Sequence, residues 1–163
     1  MERGFKKISL EQFKKDVASD IDLYDQLNLP KRGTASSAGY DFFLIDDVTL
    51  KKGETKKIPT GVKAYFKDDE VLYIIVRSSA GFKFNIRLSN QVGVIDSDYY
   101  NNEKNEGHIW ISVQNEGDED RYFKKGECLA QGIFSKYLKT DDDNSDGQRK
   151  GGFGSTNGGE KDE

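Results

Sequence analysis

Cysteine, histidine, tryptophan and proline are all scarce: the 163 residues include one Cys, one His, one Trp and two Pro. The lone Cys128 cannot close an internal disulfide, which points to a reducing compartment and a cytoplasmic address. One His and one Cys rule out a conventional His- or Cys-rich zinc site and argue against a Cys–His nucleophile pair. No run approaches the roughly 18 apolar residues of a membrane span, and the segment Met1-Glu2-Arg3-Gly4-Phe5-Lys6-Lys7 has no apolar signal region behind its charges. A cationic surplus is also missing. Lys and Arg number 25 against 29 Asp and Glu, a net charge of −4, which argues against a general nucleic-acid binder. A small anionic substrate stays open, because a few local cations reverse the field inside a cleft. Chemistry is left to carboxylates, hydroxyls and backbone amides.

What is present amounts to one domain's length with tails. Apolar residues make up 34% and charged residues 33%, a lean core that sharing between subunits would help. Residues 1–28 read as a helical extension: Ser9 with Gln12 fits a capping box, and Leu10, Phe13 and Val17 share a face. Leu29-Pro30 and the Gly33 to Ser37 stretch mark a break into extended chain. Residues 29–139 then show short apolar runs between turn signals. Val71 to Val76 suits a strand buried on both faces, and Ile109, Ile111 and Val113 alternate with His108, Trp110 and Ser112 as a half-covered strand would. The expected class is all-β, a barrel or sandwich. Residues 140–163 hold Phe153 as their only large apolar side chain, so a flexible arm is expected there.

Several patterns fail on inspection. Gly152-Phe153-Gly154 starts like a dinucleotide fingerprint but lacks the third glycine, no Walker-type loop exists, and the EF-hand-like start at Asp142 has Phe153 where a bidentate Glu belongs. Four β segments and the arm carry more. Ala38-Gly39-Tyr40-Asp41 sets a carboxylate after a permissive glycine; alone, it reads as a turn Asp. Arg77-Ser78-Ser79-Ala80-Gly81 follows the apolar strand, where it is either an oxyanion cradle or a satisfied strand end. Asn90 to Tyr99 places acids and an aromatic at an apparent hairpin, and Gly126 to Gln131 enters a strand from a turn. In the arm, Arg149 precedes Gly151-Gly152-Phe153-Gly154-Ser155-Thr156, a strap able to close over a planar, phosphorylated ligand.

In chain order these five segments resemble the motifs of the trimeric dUTPases, over roughly residues 29–156. The resemblance implies a jelly-roll, β-barrel-like fold with a short N-terminal helix and a flexible C-terminal arm, assembled as a homotrimer with shared active sites. It implies hydrolysis of dUTP to dUMP and pyrophosphate, with Mg²⁺ as cofactor. Asp96 would be the catalytic base and Asp41 would reach the metal through water. Ser78 would contact the oxygen between the α- and β-phosphates, and Gln131 the α-phosphate. Arg77, Ser79, Asn90, Gly93 and Ile95 would complete the nucleotide site, with Tyr99 under the deoxyribose. Phe153 would stack on uracil, and Arg149, Gly154, Ser155 and Thr156 would bind substrate as the arm closes. The chain departs from the family pattern at Val76, at Cys128 and in an insertion spanning 100–107. Two other readings remain: a relative of dCTP deaminase, and a regulatory protein on this scaffold with an unidentified protein partner.

Overall fold

The computed structural model describes residues 2–147, so Arg149, Phe153, Gly154, Ser155 and Thr156 lie outside the described residues. The alternation read at 109–113 is realised in the strand Trp110–Asn115, where Ile111, Val113 and Asn115 turn inward and Trp110, Ser112 and Gln114 are half-covered. Counting strands in chain order, these are β1 (Gly4–Lys7), β2 (Lys31–Arg32), β3 (Tyr40–Phe43), β4 (Val48–Leu50), β5 (Thr55–Pro59) and β6 (Val62–Tyr65). They continue with β7 (Glu70–Val76), β8 (Ile86–Leu88), β9 (Gly93–Ile95), β10 (Trp110–Asn115), β11 (Arg121–Phe123) and β12 (Cys128–Lys136). The largest sheet runs β2-β3-β12-β7-β9 and a second runs β5-β10-β8, while β1 pairs with β6 and β11 with β4. All these pairings are antiparallel. Leu50, Leu72, Ile86, Leu88, Ile109, Val113 and Leu129 fill the common interior.

The N-terminal segment contains more than helix. Residues 4–7 add strand β1 to β6 before α1 (Leu10–Asp16) and α2 (Ile21–Asp25). Ser9 caps α1 by accepting from the Gln12 amide at 3.1 Å. The reciprocal half of the capping box is absent. Gln12 Nε2 donates to Asp16 Oδ2 at 2.9 Å, and Glu106 takes the Ser9 amide at 3.0 Å instead. Phe13 packs with Ile8 and Ile45 in a second apolar cluster; burying such a ring stabilises by roughly 1.5–3 kcal/mol.

Three further readings are corrected by the packing. His108 does not face outward with Trp110 and Ser112; it is fully buried, because Asp16 and the Gly61 amide satisfy its ring nitrogens. Residues 78–84 form a helix, α3 (Ser78–Phe84), with Arg77 at its N-cap and a left-handed Asn85 ending it. The Asn90 turn is no ordinary hairpin: β8 pairs with β10 and β9 with β7, so the turn crosses from one sheet to the other. That crossing leaves a gap between the sheets.

Candidate active site

Strand β7 separates the motif residues into two groups. At its C-terminal end, Asp41 on β3 lies opposite Gln131 on β12, and Gln131 lies opposite Ile75 on β7. The Arg77 amide donates to the Leu129 carbonyl at 2.8 Å, which fixes the strand end beside them. Arg77 Nε then pairs with Asp41 Oδ1 at 3.0 Å. Ser78 and Ser79 expose their hydroxyls on the first turn of α3. This group therefore presents a cation, a carboxylate, an amide side chain and two hydroxyls at one surface. Gly39 is what lets Gln131 lie there, since a Cβ at position 39 would come within 2.0 Å of Gln131 Oε1. Oε1 ends a flexible side chain, but Gln131 Cβ would also lie 3.2 Å away, so Gly39→Ala should lower the melting temperature slightly. Turnover should fall about 10-fold as Gln131 swings away; unaltered turnover would remove Gln131 from the site.

The second group runs back along β7 from beside the first. Gly93 is opposite Ile74, next to the Ile75 that pairs with Gln131, and Ile95 is opposite Leu72, five residues before Arg77, which at the usual strand rise is about 17 Å away. Asp96 lies one residue beyond and opens a short 3₁₀ turn over Ser97–Tyr99. Between the parted sheets is a cavity of about 530 Å³ walled by Ile74, Asn90, Gly93, Ile95, Asn105 and Trp110, among others. That size and mostly apolar lining suit a nucleoside. Asn90, Gly93 and Ile95 are thus brought together as expected, whereas Asp96 and Tyr99 are not in the wall. Tyr99 is 4% exposed; its Oη donates to the His108 carbonyl at 2.9 Å and accepts from Asn105 Nδ2 at 2.8 Å.

Behind Tyr99 the polar groups settle their own protonation. The Gly61 amide donates to His108 Nε2 at 2.9 Å, so the ring carries its proton on Nδ1 and gives it to Asp16 Oδ2 at 2.6 Å. Burial lowers the His108 pKa below its ordinary value, against the opposing pull of Asp16, and this agrees with a neutral ring. Burial tends to raise Glu106, but hydrogen bonds from Ser9 and Lys63 outweigh it and hold the carboxyl below the usual range. Burial pushes the Cys128 thiol up to about 11, which leaves it protonated and unreactive at neutral pH.

Among the described residues no cluster of three or more His, Cys, Asp or Glu side chains could cage a metal. The carboxylate nearest the basic group, Asp41, is already paired with Arg77. This donor set fits a hydrated cation held chiefly by substrate phosphates and touched by Asp41 through water, which is the habit of Mg²⁺.

The family model for dUTPase matches residues 25–157. The chain belongs to the dUTPase family. A deoxyuridine 5′-triphosphate nucleotidohydrolase of Lactococcus lactis is 48% identical over 132 residues, covering 80% of this chain and 88% of its own. One from Shewanella piezotolerans is 37% identical over 137 residues, covering 79% and 86%. The crystal structure of dUTPase from Streptococcus mutans superposes with a TM-score of 0.71 at 41% identity, covering 85% of this chain and 98% of that one. The jelly-roll expectation holds against this dUTPase architecture. Sequence reasoning missed Trp110, Lys57 and Asn105 as cavity residues. Trp110 carried a signal, an aromatic on the outward phase of an alternating strand; Asn105 carried none beyond lying in the insertion.

Proposed function

We propose that this dUTPase-family chain hydrolyses dUTP to dUMP and pyrophosphate in active sites that copies of the chain, arranged as a homotrimer, build together. The observation that carries this reading is a nucleoside-sized cavity walled by Asn90, Gly93 and Ile95 in a chain 48% identical to a deoxyuridine 5′-triphosphate nucleotidohydrolase. Asp96 follows Ile95, which lies opposite Leu72, so Asp96 and Arg77 attach about 17 Å apart along β7. Neighbouring copies meeting across an interface would bring the base of one chain and the cation of another to one nucleotide, and cyclic symmetry repeats the arrangement at each interface.

Asp96 accepts a proton from the attacking water as its oxygen bonds to the α-phosphorus. The bond to the bridging oxygen breaks in line, and pyrophosphate leaves with the electron pair. Ser78 donates to that bridging oxygen, and Gln131 with nearby amides donates to the α-phosphate, where charge builds. Arg77 and Ser79 hold the phosphate end, and Asp41 orders water beside the metal. Bound Mg²⁺ would neutralise charge on the phosphate oxygens. Backbone groups of the Asn90–Ile95 turn meet the uracil edge. Cytosine offers a donor where uracil offers an acceptor and would leave buried groups unpaired, a discrimination of about 10⁴. Arg149, Phe153, Gly154, Ser155 and Thr156 close over the nucleotide. Residues 1–28 and 140–163 act as extension and arm around a catalytic barrel at 29–139.

No described helix is long and apolar enough to cross a membrane, and the scarcity of cysteine supports a cytoplasmic setting. A panel of dUTP, dCTP, dTTP and UTP with Mg²⁺ tests the reading. Pyrophosphate and dUMP should appear from dUTP alone. Ammonia from dCTP would favour a deaminase, and inertness toward every triphosphate would favour a regulatory scaffold acting through a protein partner.

A further inference from the structure

The insertion at 100–107 is folded as tightly as the barrel beneath it. Asn102 Nδ2 donates to the Tyr99 carbonyl and to Asn105 Oδ1, both at 2.8 Å. Its Oδ1 accepts from the Lys104 and Asn105 amides at 3.1 and 3.2 Å. Gly107 turns the chain at φ 80°, where a Cβ would meet the Tyr99 carbonyl at 2.5 Å. Glu106 ties the loop to the N-terminal extension through Ser9 and to β6 through Lys63 at 3.0 Å. The next residue, His108, reaches α1 through Asp16. Two segments with no assigned part in the chemistry thus brace each other.

The brace has one product at the cavity. Asn105 forms part of its wall, and its orientation is settled by neighbours, because the Gly107 amide donates to Oδ1 at 3.1 Å, which makes the other atom the NH₂. One hydrogen of that group goes to Tyr99 Oη. An amide nitrogen carries two, and the second meets no acceptor among the described residues. Ser89 and Ser112, which also line the cavity, bond to each other at 2.9 Å. A wall of this kind offers an entering nucleoside an oriented, already rigid donor at little ordering cost.

We propose that Asn105 is a substrate-binding residue: it donates its remaining amide hydrogen to an oxygen of the deoxyuridine moiety, held in place by the 100–107 loop and, through that loop, by the N-terminal extension. This inference rests on the reading of the cavity as the nucleoside site. Deoxyuridine offers as acceptors the carbonyl oxygens of the base and, on the sugar, the ring oxygen and two hydroxyls, and the test separates the 3′-hydroxyl from the others.

Calorimetric binding of deoxyuridine and 2′,3′-dideoxyuridine, both uncharged, is measured on the full-length wild type, Asn105→Ala and Asn105→Asp. The aspartate keeps the acceptor that the loop uses but cannot donate when ionised, and an uncharged ligand avoids the ion–ion repulsion that a triphosphate would meet. Both variants should bind deoxyuridine about 10-fold more weakly. Weakening confined to deoxyuridine places the donor on the 3′-hydroxyl, and equal weakening toward dideoxyuridine places it on one of the oxygens the two nucleosides share; either supports the proposal. Unchanged affinity in both variants overturns it, and so does weakening in Asn105→Ala alone, which would mean the residue only packs the loop. A wild type that turns over dUTP but binds neither nucleoside overturns the cavity assignment, whereas one that does neither overturns the functional reading itself.

Discussion

Asp96→Asn is expected to lower dUTP turnover by about 10³-fold while nucleotide binding persists, because the substitution keeps the shape of the side chain and removes its ability to take a proton. Asp96 is exposed at the start of the Ser97–Tyr99 turn, so an uncharged side chain of the same shape should keep the fold there. Rates are to be read by pyrophosphate release and binding by calorimetry with dUMP. Near-normal turnover would eliminate Asp96 as the base. Lost binding together with lost turnover would show instead that Asp96 holds the nucleotide.

The second expected result is recovery in trans. Arg77→Ala breaks the ion pair with Asp41 and should also leave a nearly inactive protein. Coexpressed at equal levels with Asp96→Asn, it should regain about a quarter of wild-type activity. A site drawing Asp96 from one copy and Arg77 from another is intact in that share of randomly assembled trimers. Asp96 follows Ile95, which pairs with Leu72, and Arg77 lies five residues beyond Leu72, so the two attach about 17 Å apart along the strand, farther than either side chain reaches alone. Activity of the coexpressed pair no higher than that of the separate variants would mean that each chain builds a whole site by itself.

Much of the fold was legible beforehand because it depends on local pattern. The alternation at 109–113 is strand β10, the apolar run at 71–76 is strand β7, flanked by β12 and β9, and Ser9 is the cap of α1. These features follow from the pleat of a strand and the unpaired amides of a helix start, both of which act over a few residues. The readings that failed were non-local. His108 was placed outside by its phase, yet it is buried because Asp16, 92 residues earlier, accepts its proton. At Arg77-Ser78-Ser79 the sequence allows an oxyanion cradle or a satisfied strand end and does not announce helix α3, because no side chain caps it. The Asn90 turn looked like a hairpin because nothing near it reveals that its two flanking strands pair with different partners.

The candidate site divides along the same line. Asn90, Gly93 and Ile95 were found because their motif is contiguous, and the structure places all three at one cavity. Asp41, Arg77 and Gln131 were found the same way, although only the β3–β12–β7 pairing puts them side by side. Asn105 was invisible, since its meaning depends on Tyr99 Oη and the Gly107 amide turning it toward the gap between the sheets.

By itself, then, the sequence determined the family, the β class and the chemical types in the site, because each is written in short, ordered runs of residues. Tertiary structure alone decided which of those types meet along β3, β12, β7 and β9, and that an inserted loop supplies part of the wall of the cavity. The physical reason is that strand pairing and buried hydrogen bonds join residues far apart in the chain, and which of them meet depends on the whole fold.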